Sequence, residues 1–181
     1  LRVTTGVNNT LVGGQTGEYI TTGSQNTFVG ARAGDAINTG GNNVAVGWAT
    51  LSADTKGDKT VAVGRSALGN QNFTTATDVY NVAVGYAAGL SITTGKESVF
   101  VGGLVGDAYD TGRYNVGMGY IALTSDTKGN YNTALGYAAL ATQNFATDTD
   151  SFNTGVGANA GLNVTTGILN VLVGGQAGDA L

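Results

Sequence analysis

A glycine closes an apolar triplet ten times in this 181-residue chain: Gly13, Gly30, Gly47, Gly64, Gly85, Gly102, Gly119, Gly136, Gly157 and Gly174. The intervals are 17, 17, 17, 21, 17, 17, 17, 21 and 17, so three short units and one long make a period of 72. Residue identity follows the larger period: "DTKG" stands at 54–57 and 126–129, "QNF" at 71–73 and 143–145. A fixed repeat of this length marks a stacked architecture in which each unit buries itself against its neighbours.

Each unit reads by column. The first is Asn9, Asn26, Asn43, Asn81, Asn115, Asn132, Asn153 or Asn170, with Thr60 and Ser98 as exceptions; the second is Val or Thr; the fourth is always apolar. Val and Thr favour a pleated surface, and glycine supplies the positive φ of sharp corners. Helix is excluded by the short runs between glycines and the lack of a 3.6-residue stripe. The unit predicts a short strand, a turn, a second short strand and a turn. Repetition then gives an all-β fold, a parallel β-solenoid (β-roll) of about ten coils, as one repeat domain over residues 1–181. At the ~4.8 Å strand spacing the rod is roughly 48 Å long. The first column becomes an asparagine ladder linking coil to coil.

The phrase "NNVAVGWATL" (42–51) sets a problem, because Val44, Ala45 and Val46 are all apolar and a strand with one wet face should alternate. Runs of this kind belong to strands covered on both faces. We expect columns two and four to fill the coil's own interior and column three to face outward. That column holds Leu11, Phe28, Ala45, Ala62, Ala83, Phe100, Ala134 and Leu172 and carries no charge, so it is the expected subunit seam. Three copies around an axis are the simplest closed arrangement that also builds a fibre, a dimer or a second layer of the same chain being the alternatives.

Composition removes several function classes. The chain lacks histidine and cysteine, which excludes imidazole acid–base chemistry, disulfides and thiolate zinc sites. A net charge of −4 with scattered Lys and Arg argues against nucleic acid as a partner. No apolar run approaches the ~20 residues of a membrane span, so no membrane insertion is expected. The repeat runs to both ends, and the chain is expected to be a segment of a longer fibre.

The phrases "NNVAVG", "YNVAVGYAAG", "YNTALGYAAL" and "QNTFVGARAG" resemble the head repeats of trimeric autotransporter adhesins, with their Asn-Ser-Val-Ala-Ile-Gly hallmark. They look still more like repeat arrays of bacteriophage tail fibres. The resemblance spans essentially the whole chain. It implies a homotrimer of left-handed β-rolls on a virion, or extracellular at a cell surface, forming a shaft or head that attaches to a host. Adhesin heads use shorter coils than the 17/21 pattern here, which favours the fibre-like relatives over an adhesin head.

Two sets of residues are candidates for contact with a host-surface glycan or protein. The long units carry four extra residues each, expected to bulge as loops that offer Asn72, Phe73, Thr77 and Asp78, and Asn144, Phe145, Thr149 and Asp150. Trp48, Tyr86, Tyr120 and Tyr137 follow corner glycines and form an aromatic column. Packing competes with binding as the role of both sets. Most acids obey the repeat (Asp54 with Asp126, Asp78 with Asp150), whereas a catalytic pair needs one unique environment. No enzyme activity, metal or cofactor is expected. A rival role, ice binding by Thr21–Thr22, Thr93–Thr94 and Thr165–Thr166, is interrupted by Lys56, Asp110 and Lys128.

Overall fold

The computed structural model describes residues 4–179, so the outermost ends of the expected domain lie outside the described residues. Fourteen short strands follow in order: β1 (Thr10–Val12), β2 (Thr27–Val29), β3 (Val44–Val46), β4 (Gly57–Asp58), β5 (Val61–Val63), β6 (Thr77–Asp78), β7 (Val82–Val84), β8 (Val99–Val101), β9 (Val116–Met118), β10 (Gly129–Asn130), β11 (Thr133–Leu135), β12 (Thr149–Asp150), β13 (Thr154–Val156) and β14 (Val171–Val173). Ten of them, one per coil, form a single parallel sheet in the order β1-β2-β3-β5-β7-β8-β9-β11-β13-β14. Register is strict: Val44 sits opposite Val61, Ala45 opposite Ala62, Val46 opposite Val63. The fold is a β-solenoid of about ten turns with no helix among the described residues.

Glycine closes each triplet because the backbone there leaves the sheet. Gly47 has φ +138°, and a Cβ on it would lie 2.6 Å from the Gly64 carbonyl oxygen of the next coil. The expected second strand is mostly absent. Opposite the sheet the chain runs through turns, many of them centred on non-glycine residues in the left-handed region, such as Leu51 (φ 50°) and Leu68 (φ 49°). Such residues cost about 1–2 kcal/mol each, and they hold because every coil locks its neighbour by backbone hydrogen bonds. Only the long coils add a second ladder, β4 with β6 and β10 with β12.

The asparagine column forms as expected, with a refinement. Asn43 is wholly buried; its backbone N–H donates to Asn26 Oδ1 at 3.0 Å, and its Nδ2 donates to the Gly57 carbonyl at 2.8 Å. Each side chain thus replaces backbone partners at a corner where the sheet ends.

The two faces of the sheet are exchanged relative to the sequence expectation. Phe28, Ala45, Ala62, Ala83, Phe100 and Ala134 point into the coil and are at most 1% exposed; Leu11 and Leu172 pack on the same core at its ends. These residues are therefore interior, not a subunit seam. Columns two and four, half-buried or exposed, face outward. The variable size of column three has an internal explanation. Six residues further on, the facing wall carries glycine where the strand residue is large and leucine where it is small, except at Ala83 with Gly89 and Gly155 with Gly161, where Leu68 and Phe100, and Leu140 and Leu172, reach in from the neighbouring coils. A Cβ on Gly34 would run into the Phe28 ring, and one on Gly106 into the Phe100 ring. Opposite Ala45, Ala62, Gly117 and Ala134 stand Leu51, Leu68, Leu123 and Leu140, all buried. Volume passes from one wall to the other at constant packing.

Candidate functional site

The outward face of the ten-stranded sheet is the molecule's most distinctive surface. Its two columns read Thr10/Val12, Thr27/Val29, Val44/Val46, Val61/Val63, Val82/Val84, Val99/Val101, Val116/Met118, Thr133/Leu135, Thr154/Val156 and Val171/Val173, with no charge in ten coils. At ~4.8 Å per coil and ~3.3 Å per residue the patch measures on the order of 500 Å², at the upper end of what a lone soluble chain exposes.

Aromatic columns border it on both sides. Two residues beyond column four stand Trp48, Tyr86, Tyr120 and Tyr137, all about half exposed as a solvent-facing column requires. The Arg65 guanidinium lies between two of these rings, 5.0 Å from Trp48 and 5.5 Å from Tyr86. Tyr120 and Tyr137 stack at 6.1 Å. On the other border, just before the asparagine column, lies a set that the sequence reasoning passed over: Tyr80, Tyr114, Tyr131 and Phe152. Tyr114 stacks on Tyr131 at 4.7 Å and Tyr131 on Phe152 at 4.8 Å. Lys59 Nζ sits 5.1 Å from the Tyr80 ring and 2.6 Å from Asp78 Oδ2. A hydrogen bond to Glu97 pushes the Tyr114 hydroxyl above its ordinary pKa. The two borders match coil by coil, as Tyr80 with Tyr86, Tyr114 with Tyr120 and Tyr131 with Tyr137, always six residues apart. That spacing in the sequence was the available signal.

The long-coil residues do not converge as a ligand set. Phe73 and Phe145, expected on outward loops, fold inward instead and are 7% and 6% exposed. Asn72 and Asn144 stay exposed and accept hydrogen bonds from Thr55 and Thr127. The Thr77 and Thr149 hydroxyls turn back to the Thr75 and Thr147 carbonyls. Asp78 is held by Lys59, and Asp150 accepts from Asn130 Nδ2 at 3.1 Å.

What the long coils do build is interior and polar. Asp54 and Asp126, each on the coil before a long one, occupy the inward column that holds Ile20, Ile37, Ile92, Tyr109 and Val164 on other coils and Gln71 and Gln143 on the long ones, and both are 0% exposed. Asp54 accepts from Gln71 Nε2 at 2.7 Å and from the amide N–H groups of Gly57 and Phe73 at 3.0 Å each. Burial raises its pKa above the ordinary value of 3.8, against those hydrogen bonds. Asp126 accepts from Gln143 Nε2 at 2.6 Å, from the Tyr109 hydroxyl at 2.9 Å and from the Gly129 and Phe145 amides. Burial first, then the charge of Asp126, hold the Tyr109 hydroxyl well above its ordinary range.

Among the described residues no group of three or more His, Cys, Asp or Glu is placed to hold a metal ion, and no helix is long and apolar enough to cross a membrane. Comparison with protein-family models, with curated proteins and with solved structures returned no match. The fold defines a β-solenoid repeat protein, and its role must be argued from its own surfaces.

Proposed function

We propose that this chain is a structural fibre segment, similar to those of phage tail fibres, in which three copies pack their apolar sheet faces around a common axis and form a rigid shaft or head for attachment to a host surface. The observation that carries this is the uncharged outer face, which runs past all ten strands and is flanked by aromatic columns. A sheet face of β-branched side chains has the geometry of a buried layer, and sister copies are the partner always present at matching length. With the seam relocated from column three to columns two and four, every coil contributes two uncharged side chains to it, both apolar in six coils and a threonine with an apolar residue in the other four. In this role the chain is not an enzyme, and its interest to a ligand lies in whichever aromatics stay outside the assembly.

Sedimentation at micromolar concentration tests the assembly. The wild type should run as a trimer, and the double variant Val63→Asp, Val84→Asp should run as a folded monomer with unchanged circular dichroism. A wild type that sediments as a well-folded monomer overturns the proposal.

A further inference from the structure

Where the first long coil stacks on the coil before it, a hydroxyl, a carboxamide and a carboxyl group meet out of contact with solvent: Thr60, Gln71 and Asp54 are each 0% exposed. Gln71 Nε2 lies 3.2 Å from Thr60 Oγ1 and 2.7 Å from Asp54 Oδ2. Gln71 Oε1 accepts from Asn81 Nδ2 at 2.9 Å. Asn81 fixes which end of the amide is oxygen, because its own Oδ1 is taken by the Ser98 N–H and its Nδ2 needs an acceptor.

We propose that this cluster is a self-modification site in which Thr60 and Gln71 join as an internal ester and release ammonia. The elements of a nucleophilic acyl transfer are present. Thr60 Oγ1 is the nucleophile; it moves out of the amide plane and closes to about 3–3.5 Å on Gln71 Cδ, the range of a near-attack contact. Oxygen adds to Cδ, and the negative charge on Oε1 is held by the Asn81 N–H. The Thr60 proton passes to Nε2, with which Oγ1 is already in contact. The Cδ–Nε2 bond then breaks, and the bonding pair leaves with ammonia. Asp54, touching Nε2, stabilises positive charge as it develops there. Burial makes this carboxylate more basic than usual, which strengthens that contact. No oxidant, metal or cofactor is needed, and burial away from solvent protects the ester once formed.

The bond would tie the start of β5 to the opposite wall of the same coil. The second long coil supplies an internal control. Gln143 there contacts Asp126 at 2.6 Å and Asn153 at 2.7 Å, just as Gln71 contacts its partners, but Asn132 stands where Thr60 stands. The same acid and amide are present without the nucleophile, so Gln143 stays unlinked.

Mass spectrometry of the whole chain, kept folded at neutral pH, reads the reaction directly. The wild type should be lighter than its sequence by one ammonia. Trypsin, cutting after Lys59, Arg65 and Lys96, should release peptides 60–65 and 66–96 as one joined species that hydroxylamine separates. Thr60→Ser should keep the mass loss and Thr60→Val should abolish it. Asp54→Asn should slow formation by roughly a hundredfold, the size of a missing charge-stabilising or proton-transfer group. A folded wild type that retains its full sequence mass after prolonged incubation overturns the proposal, and so does a joined species that survives in Thr60→Val. Both readouts are independent of whether the chain assembles.

Discussion

The two long coils lie 72 residues apart in equivalent positions, yet they bury different interiors. Around Asp54 stand Ile37, Thr60 and Val79; around Asp126 the same positions are Tyr109, Asn132 and Ser151. Three places gain polarity together, and all three are buried in the second copy. Tyr109 donates to Asp126, and Ser151 Oγ lies 2.9 Å from Asn132 Oδ1. The first copy holds its carboxylate with one side chain and backbone amides alone. One backbone frame therefore supports two solutions to the same difficulty, a charge in a dry core. The first leaves the carboxylate under-solvated with a raised pKa; the second surrounds it with more donors.

Removing each carboxylate gives the largest contrast. Asp126→Ala strands the Tyr109 hydroxyl, the Gln143 amide and backbone N–H groups, and should cost on the order of 5 kcal/mol at 1–3 kcal/mol per stranded donor. Asp54→Ala strands fewer and should cost about 3 kcal/mol. Urea unfolding followed by circular dichroism measures both, and equal losses would erase the distinction between the copies. Tyr109→Phe removes one donor while keeping the ring, and should destabilise by about 1–2 kcal/mol without loss of secondary structure.

A pH series separates the copies more finely. Asp54 keeps its proton in the folded chain at pH values where the unfolded chain has lost it. Its contribution is thus fully present below the ordinary carboxylate pKa of 3.8 and is lost as pH rises from there to the raised folded value. The melting temperature of the wild type relative to Asp54→Asn should fall across that window and level off above it. A flat difference would show that the carboxylate is not under-solvated. The smallest effect is expected on the surface: Lys59→Ala breaks an exposed pair with Asp78 and should leave the melting temperature unchanged within error.

Much of this molecule was legible in its sequence, and the failures have physical causes. The glycine intervals carried the coil number and the parallel stacking, because each coil must bring its closing glycine back over the one before. The asparagine column was legible for the same reason. The direction of the faces was not. In "NVAVG" both alternating sets are apolar, so nothing local states which is covered by the chain itself. The deciding signal was the reciprocal swap between column three and the position six residues on, as in Phe28 with Gly34 against Ala45 with Leu51. The turns that replace the second strand were hidden because residues such as Leu51 and Leu68 have no intrinsic preference for positive φ; stacked neighbours impose it. Asp54 and Asp126 looked like repeated ornament because they recur. They recur because each stands in an inward column shared by Ile20, Ile37, Ile92, Tyr109 and Val164, and Gln71 and Gln143 follow in that same column one coil later to meet them.

The reciprocal exchange of bulk between the two inner walls bears on how such a rod can lengthen. The wall facing the sheet alternates in pairs: Gly17, Gly34, Leu51, Leu68, then Gly89, Gly106, Leu123, Leu140, then Gly161 and Gly178. Inserting a single coil beside Phe28 or Phe100 would set a leucine against an aromatic ring, or a void against a small residue, at the new junction. Copying four coils as a block repeats the order of glycine and leucine on the facing wall. A block of 72 residues is therefore the unit whose duplication should disturb this packing least.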